Sequence, residues 1–402
     1  MFWEKTPVPA QGPANFSAWK DTKNADAVPN WALRAMRSFQ GITGPVREDL
    51  LDKTLSALQE IVADPNVVPS TRYNAILTAG QLDSKESSPG NPPDAYPASL
   101  IYLVDVYQDT SFPPYLKYGA LLGIVRHAYL GIDPPQQNRV IDLFLKTAVA
   151  EFDVEEMAPN PGFAAPIEPA ILNWFRQTAL DGLSALKTVG ENGTVVTELL
   201  AVMSRQSQEL VELYSGQDPF SQEEWQQVRQ VVELASKVAK TLGDLNYKSE
   251  AGVDVKKMTD TFAALLKAVC DAEHKMAADS IGLRKGSADP AMLMEQIVID
   301  MKVCIQSVAW GIQSGLITGK RGDDSMYAAT VVAANETEVK RLDLLLQEIN
   351  GLSAFFDEGN KTNRQTTSAE NVGANTPRRT FKFDLSELRD ALAKSAEAFS
   401  KI

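Results

Sequence analysis

The chain has 402 residues, a formal net charge of −13, and 44% hydrophobic against 23% charged residues. These proportions are those of a folded globular protein and exclude a chain that is disordered throughout. A surface this acidic repels phosphate backbones, and the densest basic spots, Lys320 with Arg321 and Arg378 with Arg379, are isolated pairs. We therefore expect no nucleic-acid partner. No apolar run approaches the ~18 residues that span a bilayer, so we also expect no membrane span.

Helical periodicity covers almost the whole chain, so the sequence predicts an all-α fold. Proline, glycine and asparagine separate short helices in the N-terminal half, which lie near 31–40, 46–63, 70–82, 97–108, 114–130, 135–151 and 168–188. After Gly193 the predicted helices are longer and lie near 194–214, 221–243, 255–281, 290–316 and 324–356. Beyond them comes a polar stretch rich in Asn, Thr, Gly and Ser, which predicts a flexible linker.

The predicted domain organisation follows from these boundaries. It comprises an extended segment over residues 1–29, a repeat domain over 30–190, a long-helix bundle over 191–356, the linker over 357–380 and an amphipathic helix over 381–402. The reciprocal capping spacing of Asp384 and Glu387 marks the start of the last helix. We expect its apolar face to dock on this chain, with docking on a partner as the alternative.

An internal repeat is the strongest signal in the sequence. Residues 69–77 recur 45 positions later as residues 114–122, so that Arg72 matches Lys117. Both segments have Pro, a basic residue three positions on, then Tyr, a small residue, Ala and two aliphatic residues. A weaker third copy covers residues 176–180. A helical hairpin this small cannot bury its apolar face alone, so consecutive copies are expected to stack.

This pattern of paired helices resembles HEAT repeats, and more broadly the armadillo-like class, over roughly residues 46–190. The resemblance implies an α-solenoid with a concave protein-binding surface, and it brings no catalytic residues. The Asp and Val landmarks usual in HEAT units are missing here. Two helices of an ordinary bundle that match by chance are the alternative. The longer helices after Gly193 either continue the solenoid or, as we favour, form a separate bundle.

Candidate sites for chemistry are few. Residues 315–321 have the wrong glycine spacing for a phosphate loop and are interpreted as a turn. Asp271, His274 and Glu295 are the best candidates for a metal or cofactor site among the long helices, but so few ligands fall short of a complete set. His127 lies near a helix end, where it is expected to complement the helix dipole or make a hydrogen bond. The sequence thus assigns no catalytic, cofactor-binding or metal-binding residue.

Aromatic and sulfur-containing residues are interpreted mainly as packing. Core positions are expected for Trp31, Trp174, Trp225 and Trp310. A tyrosine-rich repeat unit, with Tyr96, Tyr102, Tyr107, Tyr115 and Tyr118, offers residues that are favoured in binding surfaces. Cys270 and Cys304 are expected to be free, buried thiols, although they could pair if their helices pack side by side.

These observations predict a non-enzymatic scaffold that binds a protein or peptide partner through its repeat surface. The alternatives are a structural component of a larger assembly, such as one in the cell envelope, and a helical enzyme with a metal or cofactor. The N-terminus lacks the apolar run of a secretion signal, which favours the cytoplasm. The residues up to about Pro29 also resemble the extended start of a mature exported chain.

Overall fold

The computed structural model describes residues 42–149, 169–216, 222–247, 252–282, 290–318, 326–327, 331, 335–359 and 383–402. The chain divides into two compact units, unit 1 up to Leu186 and unit 2 from Lys187. The described residues are mostly helical, which confirms the all-α prediction. No helix among them is long and apolar enough to cross a membrane. The predictions for the extended segment, for helix 31–40 with Trp31, and for residues 360–380 of the linker lie outside the described residues. Residues 357–359, predicted as the start of the linker, are instead the end of the helix Glu336–Gly359.

Unit 1 consists of helices with one short strand pair. Its described elements are α1 (Pro45–Ala63), α2 (Pro69–Ala79), β1 (Asp83–Lys85), β2 (Asp94–Ala95), α3 (Pro97–Gln108), α4 (Pro114–Leu130), α5 (Pro134–Val149) and α6 (Pro169–Leu186). Each of these helices begins with proline, whose fixed φ suits a first turn and whose missing N–H group costs nothing there. β1 and β2 pair in antiparallel orientation between α2 and α3.

The helices of unit 1 pack in consecutive pairs. α1 packs on α2, α3 on α4 and α5 on α6, and we call these pairs hairpins 1, 2 and 3. The second helices also form a row, in which α2 packs on α4 and α4 on α6. Glycines allow this close approach, since a Cβ atom added to Gly80 would lie 2.7 Å from the Cα of Gly123. Leu58, Ile76 and Leu121 are fully buried in the core, each worth about 1.5–3 kcal/mol.

Unit 2 is a bundle of longer helices. Its described elements are a 3₁₀ turn (Glu191–Gly193), α7 (Thr194–Ser215), α8 (Gln222–Asp244), α9 (Val255–Gly282), α10 (Pro290–Trp310), a π-helical turn (Gly311–Leu316), β3 (Ile317–Thr318), β4 (Met326–Tyr327), α11 (Glu336–Gly359) and α12 (Leu385–Phe399). α9 is central, with α7, α10, α11 and α12 packed against it. α8 packs on α7 and α10.

The C-terminal helix docks within its own unit. Asp384 and Glu387 form the predicted capping box, and the buried face of α12 carries Leu388, Leu392, Ala396 and Phe399. Nδ1 of His274 donates to the backbone oxygen of Arg389, 3.0 Å away, which adds a polar link to α9. Since this apolar face is already covered, it is not free to bind a partner.

Two predicted helix boundaries need correction. The helix predicted over 324–356 begins at Glu336. Asn335 has a φ of 125°, which is not helical, and its side chain accepts a hydrogen bond from the backbone N–H of Thr337, so it caps the helix. The helix predicted over 290–316 is α-helical to Trp310 and continues as the π-helical turn, which leads into the short β3–β4 pair.

Two tryptophans predicted for the core are partly exposed instead. Trp174 is 56% exposed, because the buried face of α6 is taken by its neighbour Phe175, and adjacent helical positions point about 100° apart. Trp310 is 41% exposed, and its indole N–H donates to Asp244, 2.8 Å away, while the ring lies against Gly243. Trp225 is half-buried.

Candidate functional site

The two repeat segments have the same hydrogen bonds at the junction between their helices. The side chain of Asp64 accepts from the backbone N–H of Asn66 at 2.9 Å, and 45 positions later Asp109 accepts from Ser111 at 2.8 Å. Backbone hydrogen bonds repeat with the same offset. The N–H of Thr71 donates to the backbone oxygen of Val68, and the N–H of Leu116 donates to that of Pro113. The connection between the helices therefore has one conformation in hairpins 1 and 2.

The basic residues of the repeat serve the same part of each hairpin. Nε of Arg72 donates to the backbone oxygen of Val62, 2.8 Å away in the last turn of α1. Lys117 is buried on α4. Hydrogen bonds from Ser111, and then the charge of Lys117, lower the pKa of Asp109, which follows the last residue of α3. Arg72 thus stabilises the C-terminal end of the first helix in hairpin 1, and in hairpin 2 the charge of Lys117 acts on the residue that follows the first helix.

The tyrosines of hairpin 2 connect neighbouring hairpins instead of forming an exposed patch. The hydroxyl of Tyr96 donates to Asp52 in hairpin 1. Two other tyrosines contact threonines of hairpin 3. The hydroxyl of Tyr107 lies 2.6 Å from the hydroxyl of Thr147, and the hydroxyl of Tyr118 accepts a hydrogen bond from Thr178 at 3.4 Å. The remaining two, Tyr102 and Tyr115, are half-buried, and burial raises the pKa of each. All of the predicted tyrosines are therefore engaged in the core or between hairpins.

A cleft of about 620 Å³ opens on unit 1 where hairpin 2 meets the start of hairpin 3. The β1–β2 pair, the first half of α3, the end of α4 and the start of α5 contribute to its lining. Apolar walls dominate one part of it, with Pro97, Leu100, Ile101, Leu130, Ile132 and Pro135. Ile101 is 42% exposed, so it presents an apolar surface to anything that enters. The polar lining residues include Asp94, His127 and Asp133.

His127 is the buried polar residue of this lining, with 2% of its surface exposed. Its Nε2 lies 2.9 Å from the hydroxyl oxygen of Ser99, and that hydroxyl lies 2.9 Å from the backbone oxygen of Tyr96. The hydroxyl group of Ser99 has one proton and donates it in the hydrogen bond to the backbone oxygen of Tyr96. The hydroxyl oxygen therefore accepts a hydrogen bond from the Nε2–H group of His127. Burial, and then the charge of Arg126, lower the pKa of His127 to about 4, so the ring is neutral.

Ser99 and His127 are close enough to raise the question of a nucleophile and its base. Their geometry does not suit that role. The serine is fully buried, and its proton points to a carbonyl oxygen instead of the imidazole. A catalytic base must accept the proton of the nucleophile, whereas here the histidine donates. The pair therefore acts as a structural link between α3 and α4 and fixes the tautomer of the ring.

The sequence candidates for a metal or cofactor site in unit 2 have other partners. Asp271 accepts from Lys267 at 2.6 Å and from Tyr214 at 3.2 Å. His274 is bonded to α12 as described above, and Glu295 lies on α10. Within the described residues, no group of three or more His, Cys, Asp or Glu side chains is placed to hold a metal ion. Cys270 and Cys304 are free and fully buried.

Glu273 clusters with Asp271 and His274 on one predicted helix, a pattern that predicts a solvated charged face, and the structure corrects that prediction for Glu273. Glu273 is fully buried, and neither of its carboxyl oxygens has a hydrogen-bond partner among the described residues. Burial, and then the charge of Asp300, raise its pKa well above the usual range. Helical spacing was the available signal, since Leu266, Cys270, Glu273 and Ala277 follow one face of α9 and are all fully buried.

No protein-family model matches the chain, and searches of curated proteins and of solved structures find no match either. Function is therefore inferred from the geometry of the chain itself.

Proposed function

We propose that this chain is a non-enzymatic interaction protein whose unit 1 binds a peptide segment of a partner protein. In this proposal unit 1 is a HEAT-like stack of helical hairpins, and the cleft at the junction of hairpins 2 and 3 holds the peptide. The cleft of about 620 Å³ is the observation that carries the proposal, because its volume and apolar walls suit one or two side chains of an extended segment.

Support for a stacked repeat comes from three features of unit 1. The junctions at Asp64 and Asp109 share their hydrogen bonds, the second helices pack in a row, and Arg72 and Lys117 both act on the end of the preceding helix. Stacked hairpins make a rigid support, since each apolar face is covered by the next hairpin. A rigid support favours binding because the protein loses little conformational entropy when the ligand binds.

The cleft is also held in shape by bonds that do not depend on a ligand. Arg126 donates to Asp83 at 2.7 Å and to the backbone oxygen of Gly80 at 3.2 Å, which ties α4 to the β1 strand. Arg139 donates to Asp105 at 2.7 Å and so ties α5 to α3. We infer that the cleft is preformed in the free protein.

A selection from random dodecapeptides displayed on phage, with the full chain as the bait, tests this function. We expect recovered peptides to shift the methyl NMR signals of Ile101 and Ile132. The variant Ile101→Arg fills the cleft and should weaken binding at least tenfold. Val46→Arg is the matched control, since Val46 is an exposed apolar residue on α1 outside the lining, and its binding should be unchanged. Recovery of no peptide, or equal binding by both variants, would refute the proposal.

A further inference from the structure

We infer that the cleft recognises a cationic side chain, lysine or arginine, of the bound peptide. This inference rests on the proposed function and specifies the chemistry of its ligand. The charged groups of the described lining are the carboxylates of Asp94 and Asp133, and that lining contains no lysine or arginine. The whole chain has a net charge of −13, so the long-range field also favours a basic partner.

The buried histidine adds a third acceptor to the cleft. Since the Nε2–H of His127 is donated to Ser99, the neutral ring carries its lone pair on Nδ1. The described residues give this ring its hydrogen bond through Nε2, so Nδ1 is the ring nitrogen left for a ligand that enters the cleft. A lysine ammonium has three donors and an arginine guanidinium has five, whereas an anion would bring acceptors to a site that is already rich in them.

The apolar walls suit the stem of the same side chain. Leu100, Ile101 and Ile132 can cover the methylene groups of lysine or arginine while the charged end reaches the carboxylates. A long cationic side chain requires this combination of an apolar wall for its methylene groups and carboxylates for its charged end. A short acidic side chain would leave the wall uncovered.

The helix ends at the cleft do not favour an anion instead. α3 and α5 both begin beside the lining, and a helix N-terminus with free N–H groups commonly binds anions. Here the first residues are Pro97 in α3 and Pro134 with Pro135 in α5, which have no N–H to donate. The prolines remove one first-turn donor from α3 and two from α5, and the N–H groups of Ser99 and Gln136 already donate to the backbone oxygens of Tyr96 and Asp133, so few donors remain for an anion.

The basic side chains near the cleft are paired with carboxylates of the protein, so they do not prevent a cation of the ligand from binding there. Arg126 and Arg139 are each paired with a carboxylate outside the lining, Asp83 and Asp105, at 2.7 Å. Lys85 is paired with Asp94 at 2.6 Å, but both side chains are largely exposed. Solvent screens an exposed pair of this kind, so a ligand cation can replace Lys85 at little cost.

The peptides recovered in the dodecapeptide selection provide the test. We expect lysine or arginine to be enriched at one position next to an apolar residue. Replacing that lysine by norleucine, or that arginine by citrulline, should weaken binding to the full chain about tenfold, measured by calorimetry. The double variant Asp94→Asn with Asp133→Asn should show a similar loss, and the loss should shrink as salt is added.

The control is Asp49→Asn, which removes an exposed carboxylate paired with Lys53 on α1 and should leave binding unchanged. Peptides that bind in the cleft without basic enrichment, or that bind the double variant as well as the original chain, would overturn this inference and leave the proposed function standing. Enrichment of acidic residues would overturn it in the same way. If no peptide is recovered, the proposed function and this inference both fail.

Discussion

Nε2 of His127 lies 2.9 Å from the hydroxyl oxygen of Ser99, and this hydrogen bond joins the last turn of α4 to the first turn of α3. The two residues are 28 positions apart, and both are buried. The link holds hairpin 2 together at the end where the cleft opens. The ring is neutral because its burial, and then the charge of Arg126, lower its pKa.

The neutral histidine makes the stability of unit 1 depend on pH. The pKa of His127 is lowered to about 4 in the folded chain, against about 6.5 when unfolded. The contribution of His127 to the free energy of unfolding is therefore complete above pH 6.5. It falls by about 3 kcal/mol in total as the pH falls toward 4. Denaturant unfolding at a series of pH values should show this loss, and His127→Gln should remove that part of it.

A direct titration by NMR checks the same point. The signal of His127 should stay that of a neutral imidazole down to about pH 5, because protonation in a buried site is unfavourable. The variant His274→Gln removes the other histidine and assigns the signals. Titration of His127 close to pH 6.5 in the folded chain would contradict the prediction.

Close packing of α2 on α4 should make Gly80 intolerant of a side chain. A Cβ atom there would lie 2.7 Å from the Cα of Gly123, which is backbone and cannot move aside. We expect Gly80→Ala to lower the free energy of unfolding by about 1–3 kcal/mol. Gly351→Ala is the matched control, since a Cβ atom on that residue of α11 meets nothing within 4 Å. The control should stabilise by about 0.5–1 kcal/mol through helix propensity.

The repeated junctions should respond equally to the same substitution. Asp64→Ala and Asp109→Ala each remove a side-chain acceptor from a backbone N–H, at Asn66 and Ser111. Each should cost about 0.5–1.5 kcal/mol, the usual net value of one such bond. Asp49→Ala, which removes only an exposed pair with Lys53, should change stability by less than about 0.5 kcal/mol. A large difference between the two junction variants would argue against their equivalence.

The buried acid of unit 2 should oppose stability at neutral pH. The raised pKa of Glu273 means that the folded chain keeps a proton which the unfolded chain loses above about pH 4.5. Stability from this group is thus present below that pH and falls as the pH rises toward the folded pKa. Glu273→Gln should flatten this fall and raise the free energy of unfolding at pH 8. Glu336→Gln, at an exposed position, is the control and should have little effect.

Docking of the C-terminal helix should be a major stabilising contact of unit 2. Leu392 is fully buried on α12, so Leu392→Ala should cost about 2–5 kcal/mol of unfolding free energy. Lys394→Ala, on the exposed side of the same helix, should be nearly neutral. An equal effect of the two substitutions would mean that α12 is not docked in solution.

Local signals in the amino-acid sequence determine much of unit 1. Proline at each helix start and aspartate at the junctions fix where α1 to α4 begin and end, and these are short-range effects that a sequence carries directly. The offset between Arg72 and Lys117 likewise comes from the chain alone. The buried position of Glu273 was readable in principle, because its spacing from apolar neighbours on α9 is that of one helix face.

Only the tertiary structure decided which side chains meet and which face solvent. The pairing of Ser99 with His127 depends on how α3 lies against α4, and no spacing in the sequence reports a contact between two helices. The tyrosines of hairpin 2 are covered because hairpins stand on both sides of them, while Trp174 is exposed because Phe175 takes the inner position. Burial is a property of the packed assembly of helices, whereas periodicity describes one helix at a time, and this is why the cleft could not be located from sequence.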